Sequence, residues 1–236
     1  MFSFQWRKFS FFDLLTDVGN GALKSALKDV ELTAATSGYG YLILGDGNGN
    51  IHLISKTYKV TTFKGYGLHL SLAEQLLHSP YLVTIGDDEA GVNPALKVWN
   101  LDKLDKNGSP TCVSITRLIP NQKAVPATAL TIHESLNMLA VGFQDGSILL
   151  FRGDITRHRS SKPKVLKESG RAPVSTLAFK SSSKLTHLFV STKESVSIYN
   201  VTVKDKELKV QLTKTLFFGP FEGLVSSPTY SLSNNT

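Results

Sequence analysis

The sequence contains a single cysteine, Cys112, among 236 residues. One thiol forms neither an internal disulfide nor a multi-thiolate zinc site, so nothing here calls for an oxidising compartment or a structural metal. Cys112 reads as a small buried hydrophobe. No stretch approaches the ~20 consecutive apolar residues of a bilayer-spanning helix, and an integral membrane protein is not expected. Residues 1–13 set Phe2, Phe4, Trp6, Phe9, Phe11 and Phe12 around Arg7 and Lys8. They lack the continuous apolar run and small-residue cleavage site of a secretory signal. The glycosylation-type triplets at Asn107, Asn200 and Asn234 are therefore read as chance matches. Charged residues are scarce, 19% against 41% hydrophobic, which is a globular composition rather than a disordered one. The balance is nevertheless one-sided, with a formal charge of +7. That sign suits an acidic partner, whether anionic lipid, nucleic acid or a protein face.

What is present is a repeat. Short runs of Val, Ile, Leu, Tyr and Phe alternate with Gly, Asn, Asp and Ser clusters, the composition of strands between turns. One unit recurs every ~40 to 55 residues, near the period of propeller blades. It consists of an apolar strand ending in a small residue, a polar turn, a second strand and a more basic outer strand. The first copy runs Tyr41-Leu-Ile-Leu-Gly45, turn 46–50, then 51–54 and 60–63. The second has 81–86, a longer turn to Pro94, Leu96-Lys-Val-Trp-Asn100 and 113–118. In the third are 127–132, 138–142, a turn through Gly146, then 147–151, with 164–167 as a candidate outer strand. The fourth comprises 174–179, 187–191, 195–199 and 208–212. Both alternating sets of 174–179 carry apolar members, as strands sandwiched between neighbouring sheets require.

These features predict an all-β, WD-repeat-like propeller of about four antiparallel meanders, incomplete because closed rings use four to eight full blades. Gly45, Gly86 and Gly142 close the apolar strands, and Trp99 is expected to pack between blades. Gly47, Gly49 and Gly146 are expected to supply positive φ in the turns. The partial propeller is assigned to 1–216, and 217–236 to a polar, turn-rich tail expected to be disordered. An open ring leaves unpaired strand edges, which invite pairing with another chain.

No catalytic, cofactor or metal set emerges. Asp46, Asn48 and Asn50 imitate a calcium loop, but Ile51 and Thr57 stand where Gly and a bidentate Glu belong. The Gly-rich run 45–49 leads into a strand, so it offers no helix N-terminus to a phosphate. His133-Glu134 lacks the second His of a zinc protease, because residue 137 is Asn. The six histidines are scattered, and no nucleophile elbow accompanies them. The strongest local charge feature is Arg152, Arg157, Arg159, Lys162, Lys164, Lys167 and Arg171, opposed only by Asp154 and Glu168. It reads either as an exposed loop or as a contact for an acidic protein or anionic membrane. Nucleic acid is disfavoured, because no interleaved aromatics offer stacking platforms beyond Phe151.

Several longer segments carry a resemblance: Gln5-Trp-Arg-Lys-Phe9 with Phe11-Phe-Asp13, Gly86-Asp-Asp-Glu-Ala-Gly-Val-Asn-Pro94 with Leu96-Lys-Val-Trp-Asn-Leu101, and Gly153-Asp-Ile-Thr-Arg157. Leu130-Thr-Ile-His-Glu134, Ala140-Val-Gly-Phe-Gln-Asp-Gly-Ser147 and Thr186-His-Leu-Phe-Val190 extend it. Together they resemble the N-terminal propeller of the vacuolar protein sorting-associated protein 11 family. The resemblance implies a non-catalytic scaffold of the HOPS and CORVET tethering complexes. Its partners would be other class C vacuolar sorting subunits, with peripheral attachment to late endosomal, lysosomal or vacuolar membranes from the cytoplasm, and with no cofactor, nucleic acid or small-molecule substrate. The family's α-solenoid and RING finger have no counterpart in this sequence, so a spliced or truncated form is expected. The alternatives are a basic β-module that binds an anionic membrane or acidic partner directly, and a product without function.

Overall fold

The computed structural model describes residues 21–120, 124–157, 162–167, 172–182, 185–204 and 207–217. A short helix, α1 (Ala22–Ala26), precedes four antiparallel four-stranded sheets. The first holds β1 (Leu32–Gly38), β2 (Tyr41–Asp46), β3 (Asn50–Ser55) and β4 (Val60–Lys64). β5 (Leu70–Gln75), β6 (Tyr81–Gly86), β7 (Ala95–Leu104) and β8 (Pro110–Arg117) form the second. The third contains β9 (Ala127–Ile132), β10 (Met138–Phe143), β11 (Ser147–Arg152) and β12 (Lys162–Lys167). In the fourth are β13 (Thr176–Ser181), β14 (Thr186–Ser191), β15 (Ser195–Lys204) and β16 (Glu207–Phe217). Within every sheet, strands adjacent in sequence are adjacent in space.

Successive sheets stack through their faces, and each of three cores lies between two sheets. Ile43, Ile51, Leu53 and Phe63 of the first meet Leu82, Ala95, Trp99 and Leu101 of the second. On the far face of the second, Val83, Ile85, Leu96 and Val98 meet Leu139, Val141, Leu149 and Phe151 of the third. Ala140, Ile148 and Leu150 of the third then meet Leu188, Val190 and Tyr199 of the fourth. A central sheet therefore buries both faces, and all of β10 is buried, which is why its sequence is a continuous apolar run. Each fully buried aliphatic side chain contributes roughly 1.5–3 kcal/mol.

The first strands line the inner side of this row: β1 packs beside β5, β5 beside β9 and β9 beside β13. Among the described residues no substantial contact joins β13 to β1, so the row is an open arc. The sequence pattern missed β1, which is small and hydroxyl-rich, and β5, where a bulge at Ser71 breaks the alternation and Ala73, Glu74 and Gln75 follow. Register slips by one residue at Thr33 and at Ser71, and again around Thr128. These bulge residues turn their hydroxyls to neighbouring carbonyls. Thr33 donates to Leu70 of the next sheet, and Thr128 donates to Val174 at 2.6 Å. Ser71 instead donates to Ile85 of its own sheet at 3.0 Å.

Where the inner strand presses most closely, glycine is required. A Cβ on Gly45 would meet the Leu70 side chain, and one on Gly142 would meet Val174. Gly86 is confined by its own connecting loop, at His69 and Tyr66. In the turns Gly49 (φ 77°) and Gly146 (φ 79°) occupy the left-handed region. Gly47 does not, which corrects the expectation for that residue: the turn is held by Asp46 Oδ1, which accepts the Asn48 and Asn50 amides at 2.9 and 2.7 Å. Trp99 does not end its strand, since β7 continues to Leu104. Cys112 is half-buried rather than buried and donates to the Ser114 carbonyl at 3.4 Å.

Gly45→Ala is expected to destabilise the fold by about 2 kcal/mol through overpacking against Leu70. Combining it with Leu70→Ala should cost less than the sum of the two single changes. Additive losses in denaturant unfolding would show that the two residues do not press on each other.

Candidate interaction surface

Ionisable groups inside the arc are held in structural networks. Thr84 is fully buried, and its Oγ1 accepts the Trp99 indole N–H at 2.9 Å and shares a 2.8 Å hydrogen bond with the Tyr66 hydroxyl. The Trp99 ring packs edge-on to Phe63 of the first sheet, with centroids 5.1 Å apart. Beside them Lys97 donates to the Gly65 carbonyl and to Asp88 Oδ1, both at 2.8 Å, and lies 4.3 Å from the Tyr66 ring centre. Burial pushes the Asp88 carboxyl up, but hydrogen bonds from Lys97 and the Gly67 amide outweigh it and hold the pKa below its ordinary value. The acidic turn 87–89 is thus partly internal: Asp88 is committed to Lys97, and Asp87 pairs with His69 at 3.4 Å.

The first sheet repeats the device with other residues. Asp46 Oδ2 meets His52 Nε2 at 3.1 Å, and His52 Nδ1 meets Thr62 Oγ1 at 2.9 Å. His133 lies in the turn from β9 to β10, bound to Ser135 Oγ at 2.5 Å and to Ser181 Oγ of the fourth sheet at 2.6 Å. Among the described residues no group of three or more His, Cys, Asp or Glu is placed to hold a metal ion.

Glu74 stands apart. It lies on β5, and its Oε1 accepts the Ile132 amide of β9 at 3.2 Å. Burial raises its pKa to about 7 against the opposing hydrogen bonds from Ile132 and Thr131.

The basic stretch does not form one cluster of free side chains. Arg152 is half-buried at the end of β11. Arg157 pairs with Asp154 at 3.1 Å. Lys164, exposed on β12, donates to the Leu208 carbonyl of β16 at 2.9 Å, tying the outer strands of the third and fourth sheets together. Lys162 and Lys167 are placed by backbone alone, opposite Arg152 and Ser147. Arg159 and Arg171 lie outside the described residues.

β16 adds to this rim what the sequence reading left out. The strand runs to Phe217 rather than stopping at Leu212, and its register places Lys209, Lys214 and Leu216 on one face and Leu212 and Phe217 on the other. Its one irregularity, between Ile198 and Tyr199 of β15, skips Thr213 and shifts the alternation that would have revealed the strand's second half.

Four face-stacked meanders whose inner strands run side by side define a β-propeller arc. Solved structures agree on the fold. Hsv2 of Kluyveromyces lactis aligns with a TM-score of 0.57 at 14% identity over 78% of this chain and 61% of its own. The Cps50 (Swd1) β-propeller domain of Myceliophteria thermophila aligns with a TM-score of 0.51 at 14% identity, over 78% of this chain and 58% of its own. The family is narrower than the fold: the PEP5/VPS11 N-terminal model matches residues 6–215, and the chain belongs to that family. Curated relatives named vacuolar protein sorting-associated protein 11 homolog share 40% identity in Homo sapiens, over 85% of this chain, and 36% in Dictyostelium discoideum, over 86%. The Arabidopsis thaliana relative shares 28% over 87%. The chain spans 23% of the human and Arabidopsis relatives and 22% of the Dictyostelium one.

Thr84→Val orphans the buried Trp99 and Tyr66 donors and is expected to cost about 3 kcal/mol, whereas Thr84→Ser, which keeps the hydroxyl, should cost about 1. Equal losses in urea unfolding would remove the hydroxyl's role. For Glu74 the folded state favours the protonated form. Its stabilisation is complete below the ordinary carboxyl range and is lost as pH rises through about 7. Glu74→Gln keeps an acceptor without the charge, so at pH 8 it should melt higher than wild type, by on the order of 2 kcal/mol, and at pH 4.5 it should match it. The same difference at both pH values would contradict this.

Proposed function

We propose that this chain is a non-catalytic scaffold module of a membrane-tethering complex of the HOPS and CORVET type, acting in endosome-to-lysosome or vacuole trafficking, vesicle docking and fusion, and autophagy. The observation that carries the reading is family membership over residues 6–215, nearly the whole arc. Curated members of that family are named for vacuolar protein sorting. The disposition of side chains supports a scaffold: the polar groups that could do chemistry in the second sheet, Thr84, Lys97 and Asp88, are spent on one another and on the backbone. Binding energy in such a module comes from a few buried anchors and from charge match on its rim. Other class C vacuolar sorting subunits are its partners, and it reaches the cytoplasmic face of late endosomes, lysosomes or the vacuole through them.

Tagged chain expressed in cells is expected to co-purify with class C vacuolar sorting subunits, and the Gly142→Val variant, which wedges the third sheet from the fourth, should recover several-fold less. Recovery of none of those subunits by the wild-type chain would overturn the proposal for this chain.

A further inference from the structure

Charge on the arc is concentrated on two outer strands. β12 and β16, six and eleven residues long, carry Lys162, Lys164, Lys167, Lys209 and Lys214 against Glu207 alone. Five lysines less one glutamate is a net +4, more than half of the +7 of the whole chain. The corresponding outer strands of the first two sheets, β4 and β8, carry one basic residue each, Lys64 and Arg117. Lys164 bonds to the Leu208 carbonyl, so the two basic strands meet at that point of the rim. The same strands expose apolar side chains among the lysines: Val165 at 44%, Leu212 at 49%, Leu216 at 43% and Phe217 at 76% of full exposure.

We infer that this rim, built from Lys164, Lys209 and Lys214 with Leu212, Leu216 and Phe217, docks directly onto an anionic lipid bilayer. Lysine is a compact, hydrated point charge without the planar fork that fixes a carboxylate. It is also depleted at the desolvated centres of protein–protein interfaces. A rim of lysines interleaved with projecting Leu and Phe suits a surface that is diffusely negative and apolar just below its headgroups. In that setting β16 lies edge-on to the bilayer, so side chains from both its faces reach it: the ammonium groups stay hydrated at headgroup level while Leu212, Leu216 and Phe217 enter the interface. Among the described residues β16 pairs with β15 alone, and apart from the Leu208 carbonyl, which accepts from Lys164, the backbone groups of its other edge stay hydrated in the headgroup layer. The inference is independent of the tethering assignment, and its experiment fails separately from that one.

The test is flotation of the purified chain with phosphatidylcholine vesicles, with and without phosphatidylserine. Binding is expected only where phosphatidylserine is present, and it should weaken steeply as salt is raised. Each lysine near an anionic surface is worth roughly fivefold in affinity, so Lys164→Gln, Lys209→Gln and Lys214→Gln together should weaken binding about a hundredfold. Leu212→Ser with Phe217→Ser should weaken it several-fold. Lys209→Gln with Lys214→Gln, which keeps the Lys164–Leu208 tie, should still weaken binding about 25-fold. The exposed pair Lys103→Gln and Lys106→Gln should leave binding unchanged, and every variant that retains Lys164 should keep the wild-type melting temperature and recovery of tethering subunits. No binding by the wild-type chain, binding insensitive to salt, or a triple variant that floats like wild type would overturn the inference. So would full competition by soluble polyglutamate with the Leu212/Phe217 variant unaffected, which would assign the rim to an acidic protein.

Discussion

Everything in this chain depends on sheets covering one another. A four-stranded meander has two faces and no core of its own, so its apolar residues are buried only when a second sheet lies against each face. The cores between the first and second, second and third, and third and fourth sheets are therefore the units of stability, and no sheet is an independent domain. The inner strands set how closely the sheets approach. Gly45 and Gly142 leave space for Leu70 and Val174, and the hydroxyls of Thr33 and Thr128 lock that approach to the next sheet's backbone.

The division of labour among strands follows from position. Strands in the middle of the arc are apolar on both faces, and the inner strands trade apolar area for hydroxyl bonds across sheets. The outer strands carry mostly basic side chains, five lysines against one glutamate on β12 and β16. Function in such an architecture is written on the rim and in the loops, where a substitution does not disturb the stack. The Tyr66, Thr84, Trp99 and Lys97 network illustrates the opposite case: its polar groups are numerous, but each is already satisfied inside the protein.

Much of the arc was legible in advance. Strands β2, β3, β6, β10 and β14 are short apolar runs with Gly or Ser at or next to their ends, β11 is an apolar run opened by Ser147, and all lie where their pattern put them. β1 was not legible, because its Thr, Ser, Ala and Gly give no hydrophobic alternation, and β5 was not, because a bulge at Ser71 puts its two leucines out of step before Ala73, Glu74 and Gln75. Nor was the second half of β16, whose bulge breaks the period of two. The basic residues were visible as a run in the sequence, but contiguity in sequence does not by itself tell which side chains share a surface. Arg157 turns to Asp154 and Arg152 is half-buried, while Lys209 and Lys214, far along the chain, belong to the same rim as Lys164.

Sequence alone determined that this protein is a row of β-meanders, and to which family it belongs, because repeat period, turn glycines and long ordered motifs are local properties of the chain. Only the tertiary structure decided which acids, histidines and lysines are consumed internally and which side chains remain at the edge. The reason is physical. A residue's partners are fixed by the register between strands, which joins His52 to Asp46 and Trp99 to Thr84, and by the stacking between sheets, which joins residues some 40 positions apart such as Thr33 and Leu70.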